Sequence, residues 1–234
     1  PVPASITNAV TSVPPETLDQ VGLGKLASRS EFQIKSLGGS ASAAGKVHVI
    51  SLNAAWCPHC AANSWSLAIA LSRFGTLGGL RQIDTGTYYE KALEAKPGYS
   101  HTKGLSFIDA TYKSALVKFE PVVAYDVKGH PLEKPTGAQL SLLKSFDPQG
   151  GFPAVAIGED WGLVGSGYSP GVIAGKSEAA IAKAIAQPSS PIAKAIDGEA
   201  NVFTAAICTA TGDRPEEVCA SPAVEKAGKR LPKH

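Results

Sequence analysis

Apolar and polar positions along the chain follow a pattern that predicts short strands and buried helices. Residues 47–52 read Val-His-Val-Ile-Ser-Leu, and their β-branched side chains predict a central strand flanked on both faces. Residues 58–74 place apolar groups almost all round a helical projection, with Pro58 where a first turn tolerates proline, and so predict a buried helix. Residues 80–84 predict a second strand, which would pair with the first in parallel through a right-handed crossover.

The second half of the chain continues this mixture of strands and helices. Residues 105–110 and 116–127 predict strands and residues 137–146 predict a helix, which we interpret as an insertion elaborating one core. Residues 152–165 predict a β-hairpin, and residues 177–186 predict the helix that follows it. These elements together predict an α/β fold with a central mixed sheet flanked by helices, an insertion in the middle and a helical C-terminal extension.

The two ends of the chain differ from this core. Residues 1–20 carry four prolines among Ser, Thr and Ala, which predicts an extended arm or linker. Residues 21–234 are then expected to form a single elaborated domain, including a helical pair from about residue 191. The chain opens at Pro1 and contains no methionine, which indicates a processed form whose preceding signal peptide or anchor could tether it to a membrane.

The overall composition argues against several classes of partner. Hydrophobic residues make up 44% of the chain and charged residues 18%, which is typical of a soluble globular protein. The net charge is +2, with Lys and Arg scattered among acids, so we expect no nucleic-acid partner. No run approaches the roughly 18 apolar residues that span a bilayer. No dinucleotide or phosphate-loop motif occurs, so we expect no cofactor.

Four cysteines form a close pair, Cys57 and Cys60, and a looser pair, Cys208 and Cys219. The even number favours an oxidising compartment, so we expect an extracytoplasmic protein, either secreted or anchored at the cell surface. A Cys208–Cys219 disulfide would close about a dozen residues and stabilise the tail by about 3 kcal/mol, with a second redox relay as the alternative. The close pair predicts a redox centre, a structural disulfide or half of a zinc site. The looser pair lacks the usual zinc spacing, so we expect no metal.

The position of the close pair at a predicted helix start favours redox chemistry. We expect Cys57 to be exposed and Cys60 to face inward, which gives the two thiols different roles. Unpaired backbone N–H groups and the positive end of the helix dipole would stabilise a thiolate at Cys57. His59 can add a hydrogen bond or a positive charge. Trp56 either belongs to a peptide-docking surface or packs against its neighbours.

These motifs resemble known families. A strand, Trp-Cys-Pro-His-Cys at residues 56–60, a helix and a later Phe-Pro before a strand are similar to the thioredoxin-fold oxidoreductases. The Cys-Pro-His-Cys tetrad resembles that of the DsbA-type disulfide oxidases, which implies catalytic roles for the whole tetrad, Pro58 and His59 included. A closer resemblance, to the secreted and archaeal thioredoxin-like group described as domain of unknown function 929, covers most of the chain beyond the arm, on residues 54–65, 71–75, 105–107 and 117–124.

The resemblance implies a role for each residue of the site. Cys57 would be the nucleophile that forms the mixed disulfide, and Cys60 would be the resolving thiol. Pro153 would be a cis-proline facing them, and Phe152 would present backbone groups to an extended substrate. Thioredoxins carry a buried acid six residues before the nucleophile, but this chain has Ser51 there. The departure removes the usual proton acceptor, so the sequence shows no acid that would promote the reductase direction.

We therefore predict an extracytoplasmic thiol-disulfide oxidoreductase that acts on protein or peptide thiols through Cys57 and Cys60 and needs a redox partner. The tetrad favours the oxidase direction, and Asn53, His59 or water remain as substitutes for the missing acid. The alternative is a secreted or cell-surface thioredoxin-like binding module without catalysis, in which the two cysteines form a static bridge.

Overall fold

The computed structural model describes residues 1–27, 34–39, 45–92 and 98–232. In these ranges the strands are β1 (Lys35–Ser36), β2 (Val47–Ala54), β3 (Thr76–Gly78), β4 (Arg81–Asp84), β5 (Lys103–Ser106), β6 (Thr111–Lys113), β7 (Val117–Tyr125), β8 (Ala154–Ile157) and β9 (Trp161–Val164). A five-stranded mixed sheet has the order β1-β9-β8-β2-β7. Two antiparallel ribbons, β3 with β6 and β4 with β5, lie outside it.

Strand β2 confirms the predicted central strand. It pairs in parallel with β7, starting with Val47 opposite Val117, and antiparallel with β8, where Leu52 lies opposite Ala154. Every residue of β2 from Val49 to its end is buried. Because both edges of the strand are paired and both faces are covered, the chain that leaves its carboxyl end is held in a fixed place.

The parallel partner of β2 is β7, so the pairing predicted for residues 80–84 was wrong. The four residues of β4 are exposed or half-buried, which suits a two-stranded ribbon but not the interior of a parallel sheet. Gly79, with φ of 70°, turns the chain between β3 and β4 in the left-handed region that favours glycine. The strand predicted at residues 105–110 was wrong over most of its length, because only its first two residues lie in β5 and residues 107–110 form the turn that leads to β6.

Helices cover both faces of the sheet. They are α1 (Ala4–Thr11), α2 (Pro15–Val21), α3 (Pro58–Ser72), α4 (Tyr88–Ala92), α5 (Gly137–Phe146), α6 (Glu178–Ile185), α7 (Pro191–Thr211), α8 (Glu216–Cys219) and α9 (Pro222–Gly228). Val49 of β2 packs in the large core formed with α3 and α7. Its neighbour Ile50 packs in a second core with Leu143 and Phe146 of α5. The alternation along β2 therefore places α3 and α7 on one face and α5 on the other.

Helix α3 is buried along nearly its whole length, as predicted. Trp65 is fully buried, and its indole N–H donates to the carbonyl oxygen of Lys103 at 2.9 Å. Strand β5 approaches the helix closely at Gly104, where an added Cβ would lie 2.5 Å from the Cα of Ala61. The ribbon that carries β5 therefore fixes the outer side of α3.

The extended arm predicted over residues 1–20 is mostly helical, so that prediction was wrong. Ile6 and Val10 of α1 and Leu18 of α2 are buried in the same core as α3 and α7. Three of the four prolines that indicated an arm stand at helix starts. Pro15 lies in the first turn of α2, where a missing N–H leaves no hydrogen bond unmade.

The tail contains three helices where a pair was predicted. Helix α7 begins after Ser190, which caps it, and ends at Gly212, whose φ of 67° is left-handed. A disulfide between Cys208 and Cys219 joins α7 to α8, with 5.5 Å between the Cα atoms. Among the described helices, none combines the length and the apolar character needed to cross a membrane.

Candidate functional site

The first turn of α3 holds the close cysteine pair directly after β2. Cys57 is the N-cap residue, and its Sγ accepts a hydrogen bond from the backbone N–H of Cys60 at 3.3 Å. Pro58 lies in the first turn, where its lack of an N–H costs no bond. The sulfur of Cys57 thus takes the place that a Ser or Asp oxygen takes at other helix starts, where N–H groups and the helix dipole favour negative charge.

Cys60 lies one helical turn further and is only 2% exposed. Its Sγ accepts a hydrogen bond from the backbone N–H of Ala54 at 3.4 Å. Burial raises the pKa of the Cys60 thiol well above its ordinary value, the hydrogen bond and charge of Cys57 raise it further, and the Ala54 N–H lowers it. Cys60 therefore keeps its proton at neutral pH.

Cys57 is also 2% exposed, so the prediction of an exposed nucleophile was wrong. Its Sγ lies 3.7 Å from the carbonyl oxygen of Phe152, and the Phe152–Pro153 peptide is cis. Phe152 and Pro153, two of the three residues assigned to substrate binding, thus lie opposite the thiol, directly before β8. Side chains of Trp56, Tyr125 and Phe152 pack against the cysteine pair and cover it.

An aromatic cluster lies beside the thiol: Trp56, Tyr125 and Phe152 contact the cysteine pair, and Tyr88 and Tyr89 extend the cluster through Trp56. The ring of Trp56 lies 5.5 Å from that of Tyr88, 6.3 Å from Tyr89 and 5.9 Å from Phe152. All five rings are half-buried, so the cluster shows solvent an apolar surface with polar edges. Burial, and then the charge of nearby Cys57, raise the pKa of Tyr89. The three tyrosines were not predicted from the sequence, although adjacent aromatic residues in a polar segment were a visible signal.

His59 faces away from the sheet, toward the turn that follows β9. Its Nδ1 lies 2.9 Å from the Oγ of Ser166. Its ring meets those of Tyr89 and Tyr99 edge-on, with centroids 6.4 and 5.7 Å away. Sequence reasoning missed Ser166, because 107 residues separate it from His59 and nothing in its own Gly/Ser-rich turn indicates the contact.

The position of the missing acid is occupied by two neutral side chains. Ser51 is fully buried in β2, and the amide of Asn53 donates to its Oγ at 2.7 Å. The Oδ1 of Asn53 has no hydrogen-bond partner in the described part of the chain. Asn53 and Cys60 line a cavity of about 10 Å³, close to the smallest volume that holds one water. An amide cannot take the proton of Cys60, so this cavity offers no base.

The remaining cysteines, Cys208 and Cys219, are bonded to each other in the tail and belong to no part of this site. Across the residues that the structure describes, no three His, Cys, Asp or Glu side chains are grouped as metal ligands. The site therefore brings together two thiols, an imidazole and a cis-proline under an aromatic cover. That set can carry out thiol-disulfide exchange.

Among known proteins, this chain matches one family. No curated protein and no solved structure matches this chain. One family does match, over residues 33–150, which is half of the chain and includes β2, the cysteine pair, α3 and β7. The matched region ends just before Phe152 and Pro153. The chain belongs to the family described as Domain of unknown function (DUF929).

Proposed function

We propose that this protein is an extracytoplasmic thiol-disulfide oxidoreductase of thioredoxin-like fold that oxidises protein thiols through Cys57 and Cys60. The observation that carries the proposal is the setting of the Cys57 sulfur. It caps α3 by accepting the Cys60 N–H at 3.3 Å, and it faces the carbonyl of Phe152, before the cis bond to Pro153, at 3.7 Å. A sulfur so placed can form a mixed disulfide with an extended substrate that lies along Phe152.

The order of elements supports the thioredoxin-like assignment. Strand β2 leads into α3, a parallel strand β7 follows, and the β8–β9 hairpin completes the sheet on the other edge of β2. Because β2 and β8 are antiparallel and Leu52 pairs with Ala154, the end of β2 and the start of β8 meet at the same edge. That arrangement is what the resemblance implies for a Cys-x-x-Cys pair and a cis-proline.

The oxidase reaction starts from the Cys57–Cys60 disulfide. A substrate thiolate attacks the Cys57 Sγ, the disulfide breaks, and the Cys60 sulfur leaves with the electron pair and takes up a proton. A second substrate thiolate attacks the substrate sulfur of the mixed disulfide, and Cys57 leaves as a thiolate that accepts the Cys60 N–H. Two substrate thiols become a disulfide and two electrons reside on the pair, which a partner protein carrying a disulfide must take away.

Burial of Cys60 favours this direction. In reduction, Cys60 must lose its proton before it attacks the mixed disulfide, and burial raises its pKa and opposes that loss. In oxidation, the protonated Cys60 is a poor nucleophile toward the mixed disulfide, because only a thiolate attacks, and this leaves time for the second substrate thiol. Ser51 and Asn53 supply no carboxylate that would reverse this preference.

The Cys208–Cys219 disulfide supports an oxidising compartment, since such bonds persist mainly outside the cytoplasm. The low exposure of Cys57 favours the alternative, a non-catalytic binding module with a static bridge. In the oxidoreductase, a ring of the aromatic cluster must move before a substrate reaches Cys57. The oxidoreductase needs this ring to move during turnover, whereas the binding module does not.

Equilibration of the protein with glutathione buffers separates the two. We expect a reduction potential for the pair between about −120 and −270 mV, as in catalytic pairs, and oxidation of a reduced unfolded protein. Cys60→Ser should trap a mixed disulfide at Cys57, seen as added mass, and Cys57→Ser should trap none. A potential below about −300 mV, or no trapped species with Cys60→Ser, would contradict the proposal and support the static bridge.

A further inference from the structure

A buried carboxyl group lies behind the turn that contacts His59. Glu199, in the middle of α7, is completely buried. Its Oε1 accepts the backbone N–H of Gly167 at 2.5 Å and a side-chain N–H of Asn63 at 3.4 Å. This short contact joins the middle of α7 to the backbone of the turn, so Glu199 holds the turn at residue 167.

Ser166, the residue before Gly167 in that turn, determines which nitrogen of His59 carries a proton. The hydroxyl of Ser166 donates to the carbonyl oxygen of Tyr168 at 2.7 Å. A serine hydroxyl has one hydrogen, so toward His59 it can only accept, and the Nδ1 atom 2.9 Å away must be the donor. His59 therefore carries a proton on Nδ1.

A third contact fixes the far side of the turn. The ring of Tyr168 is buried, and its hydroxyl donates to the carbonyl oxygen of Ala62 at 2.6 Å. Ala62 belongs to α3, the helix that also carries His59. The turn at residues 166–168 is thus tied to α7 through Glu199 and to α3 through Tyr168, which leaves Ser166 a single position from which to accept the His59 proton.

We propose that Glu199 is a positioning residue for His59, acting through the Gly167 N–H and the Ser166 hydroxyl. Through this chain Glu199 keeps His59 in the Nδ1–H form and, by holding the imidazole in place two residues after Cys57, favours the reduced form of the pair. The effect on the tautomer stands on the hydrogen bonds alone. The effect on the cysteine pair rests on the proposed function, because it assumes that the pair cycles between dithiol and disulfide.

The chain supplies a matched control for Glu199. Asp197 is a second fully buried carboxyl on the same helix, two residues away, and neither of its oxygens has a hydrogen-bond partner in the described ranges. Glu199→Met and Asp197→Leu each replace a buried acid by an apolar side chain of similar size. General loosening of α7 would affect both variants, whereas loss of the Gly167 bond affects only the first.

The direct readout is the tautomer of His59, measured by nitrogen-15 NMR of the imidazole ring in the full chain. We expect Nδ1–H in the native protein and in Asp197→Leu, and a shift toward Nε2–H in Glu199→Met and in Ser166→Ala. Glu199→Gln keeps an acceptor oxygen and should restore the native tautomer. Should Glu199→Met fail to fold, Glu199→Asp withdraws the acceptor by one methylene and should produce a smaller shift in the same direction.

The second readout is the equilibrium of the pair with glutathione. Glu199→Met and Ser166→Ala should each shift it about tenfold toward the disulfide, equivalent to about 30 mV, and the double variant should shift it no further. An unchanged His59 tautomer in folded Glu199→Met, or equal tautomer shifts in Glu199→Met and Asp197→Leu, would overturn the positioning role. A native protein that does not exchange with glutathione would instead refute the proposed function, and the NMR comparison would still decide the role of Glu199.

Discussion

The buried carboxyl of Asp197 should make the free energy of unfolding depend on pH. The carboxyl is fully buried in α7 without a hydrogen-bond partner among the described residues. Burial raises its pKa from 3.8 to about 8. In the unfolded chain the carboxyl returns to water and ionises near its ordinary value. At neutral pH, folding must therefore place a proton on Asp197.

The sign and size of the effect follow from this difference. Between about pH 4 and pH 8 the folded state holds a proton that the unfolded state lacks, so the free energy of unfolding falls as the pH rises. Each pH unit in this window changes it by about 1.4 kcal/mol, so the loss from pH 5 to pH 7 is about 3 kcal/mol. Below pH 4 the carboxyl of Asp197 is protonated in both states, and above pH 8 it is ionised in both, so its contribution becomes constant.

Asp197→Asn removes the titration and keeps the shape of the side chain. In urea unfolding, the free energy of unfolding of the variant should rise relative to that of the native protein by about 1.4 kcal/mol per pH unit from pH 5 to pH 7, and by less from pH 7 to pH 8, where Asp197 begins to ionise in the folded state. Asp109→Asn, at a half-exposed surface site, controls for the change of net charge. A difference between Asp197→Asn and the native protein that stays constant from pH 5 to pH 8 would show that Asp197 is not held as a neutral acid.

Three further predictions concern the tail, the packing of α3 and the aromatic cluster. Replacing Cys208 and Cys219 by Ala should lower the free energy of unfolding by about 3 kcal/mol, measured in urea, and leave exchange with glutathione unchanged. Gly104→Ala should cost about 1–3 kcal/mol in the same assay, because the new Cβ would lie 2.5 Å from the Cα of Ala61, and an unchanged midpoint would refute the close approach. Trp56→Ala should leave folding intact and speed alkylation of Cys57 by iodoacetamide about tenfold, since it opens the cover; an unchanged rate would show that another ring limits access.

The parts of the site that lie close together in sequence could be predicted. Cys57, Pro58 and Cys60 fall within one helical turn, so their spacing alone places the pair at a helix start, and the structure has Cys57 at the N-cap. The helix predicted at residues 137–146 is also confirmed, and a local capping box of Thr136 and Gln139 fixes its start. In each case the deciding interactions join residues within a few positions of each other.

The features that the sequence analysis missed depend on distant contacts. The burial of Cys57 comes from rings such as Phe152, whose carbonyl meets its sulfur across 95 residues. The contact of Ser166 with His59 has the same origin. The helical N-terminus was missed for a different reason, because Pro15 was taken as a breaker although a proline in a first turn is compatible with a helix.

The antiparallel ladder between β2 and β8 has a consequence for any shortened form of this protein. The region that matches the family ends at residue 150, before β8 begins. Residues 33–150 expressed alone would leave one edge of β2 without its partner, and unpaired strand edges recruit other chains and aggregate. The same fragment would lack the Phe152 carbonyl that faces Cys57. A stable minimal unit must therefore extend at least through β9 (Trp161–Val164), beyond the boundary of sequence similarity.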